Sequence, residues 1–257
     1  MVVLFFVLGL VVGSFLNSLI YRLEKKESIV KKRSYCPFCK KSLSWFELIP
    51  LMSFIFQKGK CRKCKKKISL QYPLVELVTG IIFVLIGIYF FDPTVLSIIN
   101  TCYLLVVICS LIIIFVYDLK HYIIPNEVIY SIIIVSFLYI FYSLFIIHNS
   151  SFYYNILSAV IAGLFFLIIV LFSRGKWMGM GDAKLALFMG LILGWPDILM
   201  ALFIAFLIGA IVSIILIIFK KKKFQSEIPF GPFLSLATII TIFWGNILID
   251  WYLGLFI

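Results

Sequence analysis

Two aspartates and four cysteines are the residues whose types and spacing could do chemistry in this chain. Of its five aspartates, Asp92, Asp197 and Asp250 fall at the predicted outer ends of apolar stretches, where a carboxylate is simply solvated. Asp118 ends such a stretch in FVYDLKHYIIPNEV, and Asp182 opens one in WMGMGDAKLALF, so both fall at the opposite boundary. Singly, each has an ordinary reading: Asp182 as a helix N-cap, Asp118 as an interfacial polar residue. As a pair at one depth they are also the arrangement in which one ionised carboxylate activates water while its protonated partner polarises the carbonyl under attack. Acids at that depth are costly and face a wet cavity or a partner rather than lipid. Gly179 and Gly181 would permit a close, strained backbone approach that a side chain would block. Helix dipoles favour Asp182, near a helix N-terminus, as the anion and Asp118, at a C-terminus, as the acid, with Lys184 and Lys120 each two residues on. Glu76, entering another apolar stretch, is a further acid in an expensive place and a candidate to face the same site.

The cysteines form two C-x-x-C pairs, Cys36 with Cys39 and Cys61 with Cys64, inside YCPFCKKSLSWFELIPLMSFIFQKGKCRKCKKKISLQYP. Each pair puts two thiolates on one tight turn, and two such turns meet as a closed tetrahedral site of the zinc-ribbon kind. Two disulfides or a redox pair are the competing readings, and both are weakened if the segment is cytoplasmic, where thiols stay reduced. The lysines and arginine around the thiolates would offset their charge, and a segment this short would draw folding energy from the metal. Its apolar stretch LIPLMSFIF, residues 48–56, is too short to span a membrane; it would lie against the membrane surface or cover the metal site. Cys102 and Cys109, inside an apolar stretch, read as packing residues.

The elements that must position these residues are membrane helices. With 64% apolar and 13% charged residues, 257 residues cannot make a soluble domain without a greasy surface. Stretches fit to span a bilayer occur at about 2–20, 74–91, 96–117, 127–147, 155–173, 197–219 and 230–249, with a shorter one at 183–194, making about eight in an all-α polytopic membrane protein. The first lacks a basic leader and a small-residue cleavage site, so a retained helix is expected rather than a signal peptide. Fifteen of the 23 Lys and Arg lie in 21–73, and the rest fall at 120, 174–184 and 220–223, all on one side if the short stretch crosses. The positive-inside tendency makes that side cytoplasmic and turns both termini outward. The +12 net charge is then a polarised inner face that attracts anionic membrane lipid, with no need of nucleic acid. The expected organisation is a first transmembrane helix at 1–20, a cytoplasmic zinc-binding domain at 21–73 and a transmembrane domain carrying both aspartates at 74–257. In the first helix Gly9, Gly13 and Asn17 form one stripe, read as close helix packing with a hydrogen bond from Asn17.

Several stretches, in order along the chain, resemble the bacterial type IV prepilin peptidases (prepilin leader peptidase/N-methyltransferases). They are VVGSFLNSLIYRLE at 11–24, the four-cysteine segment with IPLMSF and GKCRKC, ISLQYPLVELVTG at 68–80, DLKHYIIPN at 118–126 and PFGPFL at 229–234. GMGDAKL matches the G-x-G-D motif of intramembrane aspartic proteases. The chain departs from the family pattern at Gln71, where arginine is usual, and at Asn126, where aspartate is common. The resemblance implies Asp118 and Asp182 as the catalytic pair. It implies cleavage of prepilin or pseudopilin precursors after a glycine on the cytoplasmic face of a bacterial inner membrane, in the service of type IV pili or type II secretion. It also implies methylation of the new N-terminus by S-adenosylmethionine, for which no glycine-rich nucleotide loop after a strand is visible. Prepilin leaders are typically basic, and Glu24, Glu27, Glu47 and Glu76 are the acids available to receive them.

Two other classes stay open on the sequence. In a transporter the two acids would relay protons or ions, with the zinc module as a regulatory appendage. In a structural scaffold neither acid would matter. A zinc peptidase is disfavoured, because four cysteines close the metal shell and no H-E-x-x-H is present.

Overall fold

The computed structural model describes residues 1–28, 33–146, 151–219 and 228–254. Helices α1 (Val2–Lys25), α3 (Gln71–Tyr89), α4 (Val95–His121), α5 (Asn126–Ile146), α6 (Ser151–Phe172), α8 (Asp197–Ile218) and α9 (Gly231–Gly254) are joined by two short ones, α2 (Met52–Phe56) and α7 (Met180–Leu193). No strand longer than an isolated bridge occurs among the described residues. All seven long helices are apolar enough to cross a bilayer, and the chain is a multi-pass membrane protein. In hydrocarbon every backbone N–H and C=O must be satisfied within the element, which leaves the helix as the only open-chain solution for these stretches. The eighth candidate is α7, whose 14 residues extend about 21 Å, short of a roughly 30 Å hydrocarbon core. The lysine run at 220–223, part of the charge asymmetry, lies outside the described residues.

The chain divides into two packing units, Met1–Ile112 and Ile113–Ile257, with α4 running from one into the other. In the first, α1 and α3 pack along their small residues. A Cβ on Gly9 would come 2.8 Å from the Cα of Gly80, and one on Gly13 would come 2.8 Å from the Cα of Glu76, so these helices approach backbone to backbone. Asn17 Nδ2 donates to the Tyr72 carbonyl at 3.0 Å, the expected hydrogen bond across that interface. Gln71, one of the two departures from the family pattern, donates from Nε2 to Asn17 Oδ1 at 3.4 Å.

In the second unit α7 is the central element. It packs against α5, α6, α8 and α9, and Leu185, Ala186, Phe188 and Met189 are fully buried. Asn155 of α6 donates from Nδ2 to the Leu191 carbonyl at 3.0 Å and so satisfies one of the carbonyls left open at the α7 C-terminus. Phe166, Phe206 and Phe230 cluster with ring centroids 5.0 to 6.2 Å apart and tie α6 and α8 to the residue just before α9. Cys102 is exposed on α4 rather than packed, because an apolar thiol loses nothing by facing lipid. Asp197, expected to be solvated, is half-buried, and its Oδ1 is shut away against Gly245 without a hydrogen-bond partner among the described residues.

Candidate active site and metal site

Asp118 and Asp182 lie in the same packing unit and both are buried. Asp182 is the third residue of α7, and its Oδ2 accepts the N–H of Gly179, the N-cap, at 3.2 Å. Asp118 lies in the last turn of α4, where its carboxylate accepts the N–H of Gly231, the first residue of α9. That N–H is one of the donors a helix start leaves without an internal partner. The glycines beside the two acids, Gly181 and Gly231, both pack on Ile124, a buried residue of the loop between α4 and α5. A Cβ on Gly181 would meet the Ile124 Cβ at 3.0 Å. A Cβ on Gly231 would meet Ile124 Cδ1 at 3.2 Å and Asp118 Oδ2 at 2.5 Å. The charge of Asp118 also acts directly on Asp182.

This geometry revises three expectations. Asp118 ends one helix but faces the start of another, so both carboxylates sit at helix N-termini and the dipole argument no longer separates their roles. Gly181 does allow the close approach of backbone to Ile124, whereas Gly179 has φ −81° and open space, the nearest atom to an added Cβ being Asp182 Oδ2 at 3.8 Å. Gly179 contributes its N–H and not its lack of a side chain. Lys184 is engaged with α5: its Nζ donates to Asn126 Oδ1 at 2.8 Å and lies 4.6 Å from the centre of the Tyr130 ring. Asn126, the second departure from the family pattern, thereby ties α5 to α7. His121, beside Asp118, packs its ring on Tyr117 with centroids 4.6 Å apart.

Sequence reasoning missed Gly231 and Ile124 as parts of the site. A signal for the first was present, since a Gly-Pro pair opening the apolar run after PF marks a helix N-terminus with free donors. Nothing in the sequence singles out Ile124, one apolar residue among many.

Glu76 belongs to the first unit and is already engaged. Its Oε2 accepts the Leu51 N–H at 2.8 Å, and the Ser14 hydroxyl donates to it as well. It fastens the loop before α2 onto α1 and α3. Glu47 accepts from the Ser44 N–H, the Ser44 hydroxyl and Lys41 Nζ, at 3.0, 2.7 and 3.1 Å. Glu27 accepts the Tyr35 hydroxyl at 2.9 Å, and Glu24 lies 3.9 Å from Lys25. All four acids considered as receivers of a basic leader thus have partners inside the protein.

The four cysteines converge. Cys36 and Cys64 Sγ are 3.9 Å apart, Cys39 and Cys61 Sγ 4.0 Å, and all four sulfurs lie within 4.8 Å of one another. The edge of a tetrahedron with bonds of about 2.3 Å is about 3.8 Å, so the set fits a four-coordinate thiophilic metal ion. The two turns are copies of one another. In each, the N–H four residues after the first cysteine donates back to that cysteine's carbonyl at 2.9 Å, from Lys40 to Cys36 and from Lys65 to Cys61. Those lysines have φ 52° and 57°, and the flanking bridges Tyr35 to Ser42 and Lys60 to Lys67 close each turn. N–H groups of Cys64 and Lys63 pull the Cys61 thiol down to about 6, while burial pushes Cys36 up to about 11.

Comparison with known proteins finds relatives along nearly the whole chain. Residues 7–90 match the Bacterial Peptidase A24 N-terminal domain and residues 105–214 match the Type IV leader peptidase family. A prepilin leader peptidase/N-methyltransferase of Bacillus subtilis is 34% identical, covering 98% of both chains. The chain belongs to this family. Its relatives of the same name in Vibrio cholerae and Legionella pneumophila are 31% and 29% identical, over 94% and 96% of this chain and 96% and 92% of theirs. No solved structure matches. Membership in a peptidase family disfavours the transporter and scaffold readings.

Proposed function

We propose that this chain is a membrane-embedded aspartic endopeptidase that cuts prepilin-like precursors after a glycine, at the cytoplasmic edge of a bacterial inner membrane. The observation that carries the reading is the convergence of the buried Asp118 and Asp182 around Gly181, Ile124 and Gly231. Two buried carboxylates whose charges act on each other are the arrangement in which one is protonated while the other is ionised, the pair titrating as a unit. The ionised member takes a proton from water, the water attacks the scissile carbonyl, and the protonated member stabilises the oxyanion. The Gly179 and Gly231 N–H groups each hold one oxygen, leaving the others free for water and substrate. A scissile bond lying where a leader meets a hydrophobic helix needs its acids at the membrane boundary, the depth at which α4 ends and α7 begins.

On this reading α7 crosses as a short span buried among its neighbours, both termini face outward, residues 21–73 form a cytoplasmic domain whose four cysteines hold zinc, and 74–257 form the peptidase domain. Zinc is the thiophilic ion suited to a closed shell of four thiolates, and its charge would displace the Cys36 proton despite burial. The relatives' names extend the proposal to methylation of the new N-terminus by S-adenosylmethionine. Purified protein with a prepilin substrate tests both halves by mass spectrometry: the product should begin at the residue after glycine and carry one methyl. Asp118→Asn and Asp182→Asn should each abolish cleavage while membrane abundance is kept. Appreciable turnover by either variant would refute the pair.

A further inference from the structure

We propose that the loop around α2 and the basic cleft beside it form a lipid-binding site, the apolar residues entering the bilayer interface and the cleft taking the headgroup of an anionic phospholipid. The loop exposes large apolar side chains that the metal site does not use: Trp45 is 78% exposed, Ile55 65% and Phe56 71%. Phe54 is turned inward, beneath the Gly59 turn, so α2 has an inner and an outer face. The depth of this loop is fixed by Glu76. Glu76 is five residues, about 7.5 Å, into α3, and its Oε2 holds the Leu51 N–H. Leu51 immediately precedes α2 and is therefore level with a residue inside the apolar span rather than above it. An outward apolar face at that height meets the headgroup and upper acyl region, where Trp and other amphipathic side chains settle.

Directly beside Phe56, the residues Gln57, Lys58, Lys60, Arg62 and Lys65, with Cys61 of the metal site, surround an open cleft of about 390 Å³. Four cationic groups line it and no acid does. Cations next to an inserted apolar anchor are the complement of an anionic headgroup, with the anchor supplying depth and the cleft supplying charge. A free phosphate would satisfy the cleft and leave the apolar face in water, and for that reason the occupant is assigned as a phospholipid.

The test uses the full chain in lipid nanodiscs. Replacing Trp177, Trp195, Trp244 and Trp251 by Phe leaves Trp45 as the sole indole. Lipids brominated near the headgroup should quench Trp45 strongly, aqueous iodide should quench it little, and phosphatidylglycerol should deepen the lipid quenching relative to pure phosphatidylcholine. Replacing Lys58, Lys60, Arg62 and Lys65 by Ser should remove the phosphatidylglycerol dependence and lower apparent affinity for that lipid about tenfold or more. Metal content, measured on each variant, reports the folded insert. Quenching by iodide and not by lipid places the face in water and overturns the proposal; shielding from both places it against protein and overturns it equally. Equal lipid quenching with and without phosphatidylglycerol overturns the headgroup site.

Discussion

Replacing Gly231 by Ala tests the site with one methyl group. The added Cβ would lie 2.5 Å from Asp118 Oδ2, whereas ordinary contact begins near 3.4 Å, so about 0.9 Å must be found. Two things resist the movement. Gly231 starts a helix whose next turn is buried through Leu234 and Ser235, and Ile124 Cδ1 stands 3.2 Å from the same Cβ. The carboxylate is left to move, losing the Gly231 N–H and its alignment with Asp182. Misplacing a catalytic group by about 1 Å costs on the order of 100-fold, or about 2.7 kcal/mol of transition-state stabilisation. The expected result is a fall of that size in kcat/KM for a prepilin substrate, with membrane abundance and metal content unchanged. Gly181→Ala brings a Cβ to 3.0 Å from the Ile124 Cβ, a shortfall of about 0.4 Å, and should cost about tenfold. Gly179→Ala keeps the N–H and meets nothing nearer than 3.8 Å, so it should cost least of the three. Cleavage by Gly231→Ala within about threefold of the parent, or Gly179→Ala as the worst variant, would refute the placement of Asp118 against the start of α9.

The metal site should hold one zinc per chain by elemental analysis, and Cys61→Ser should lose it and leave 33–70 open to limited proteolysis. The proposed aspartate mechanism does not use that ion, so chelation should reduce cleavage only as fast as the segment unfolds. For Glu47, burial raises the carboxyl, but the Ser44 N–H and hydroxyl and the Lys41 ammonium more than offset it and hold it at about 2. Its contribution is then complete above the unfolded value near 4.5 and is lost as pH falls toward 2. Glu47→Gln should cost about 1–3 kcal/mol at neutral pH and flatten the acid limb of metal release between those values. Gly13→Leu must separate α1 from the Glu76 backbone, 2.8 Å from its Cβ, and should lower membrane abundance severely, whereas Ser18→Ala on the same helix should not.

What the sequence makes legible is what one-dimensional physics decides. Length and hydropathy mark the seven long helices because lipid leaves the backbone no alternative, and the repeated C-x-x-C marks the metal site because the ligand spacing is local. The Gly9, Gly13 and Asn17 stripe was readable for the same reason, as one helix face records its neighbour. The partners of Glu76 and the Lys41 contact of Glu47 were not readable, although Ser44-x-x-Glu47 is a local capping box that spacing alone could have marked. Leu51 reaches Glu76 across 25 residues through a loop that carries no periodicity, and Lys41 meets Glu47 six residues away across the end of the first cysteine turn. The leader-binding role considered for these acids followed from counting charges without knowing which were already answered.

The two aspartates show the same limit at the centre of the function. Their depth could be read from the apolar boundaries, but their surroundings could not, because a helix end was judged by its own dipole and not by the helix it faces. Asp118 ends α4, where a carboxylate is disfavoured, yet its oxygen rests on the first N–H of α9, more than 110 residues later. The start of α9 thus offsets the repulsion from the end of α4, and each acid sits at a helix start and holds one N–H. On the proposed mechanism, helix dipoles therefore do not assign the proton to one carboxylate. The asymmetry that hydrolysis requires would then enter with the substrate, whose carbonyl approaches one acid while its water is held by the other.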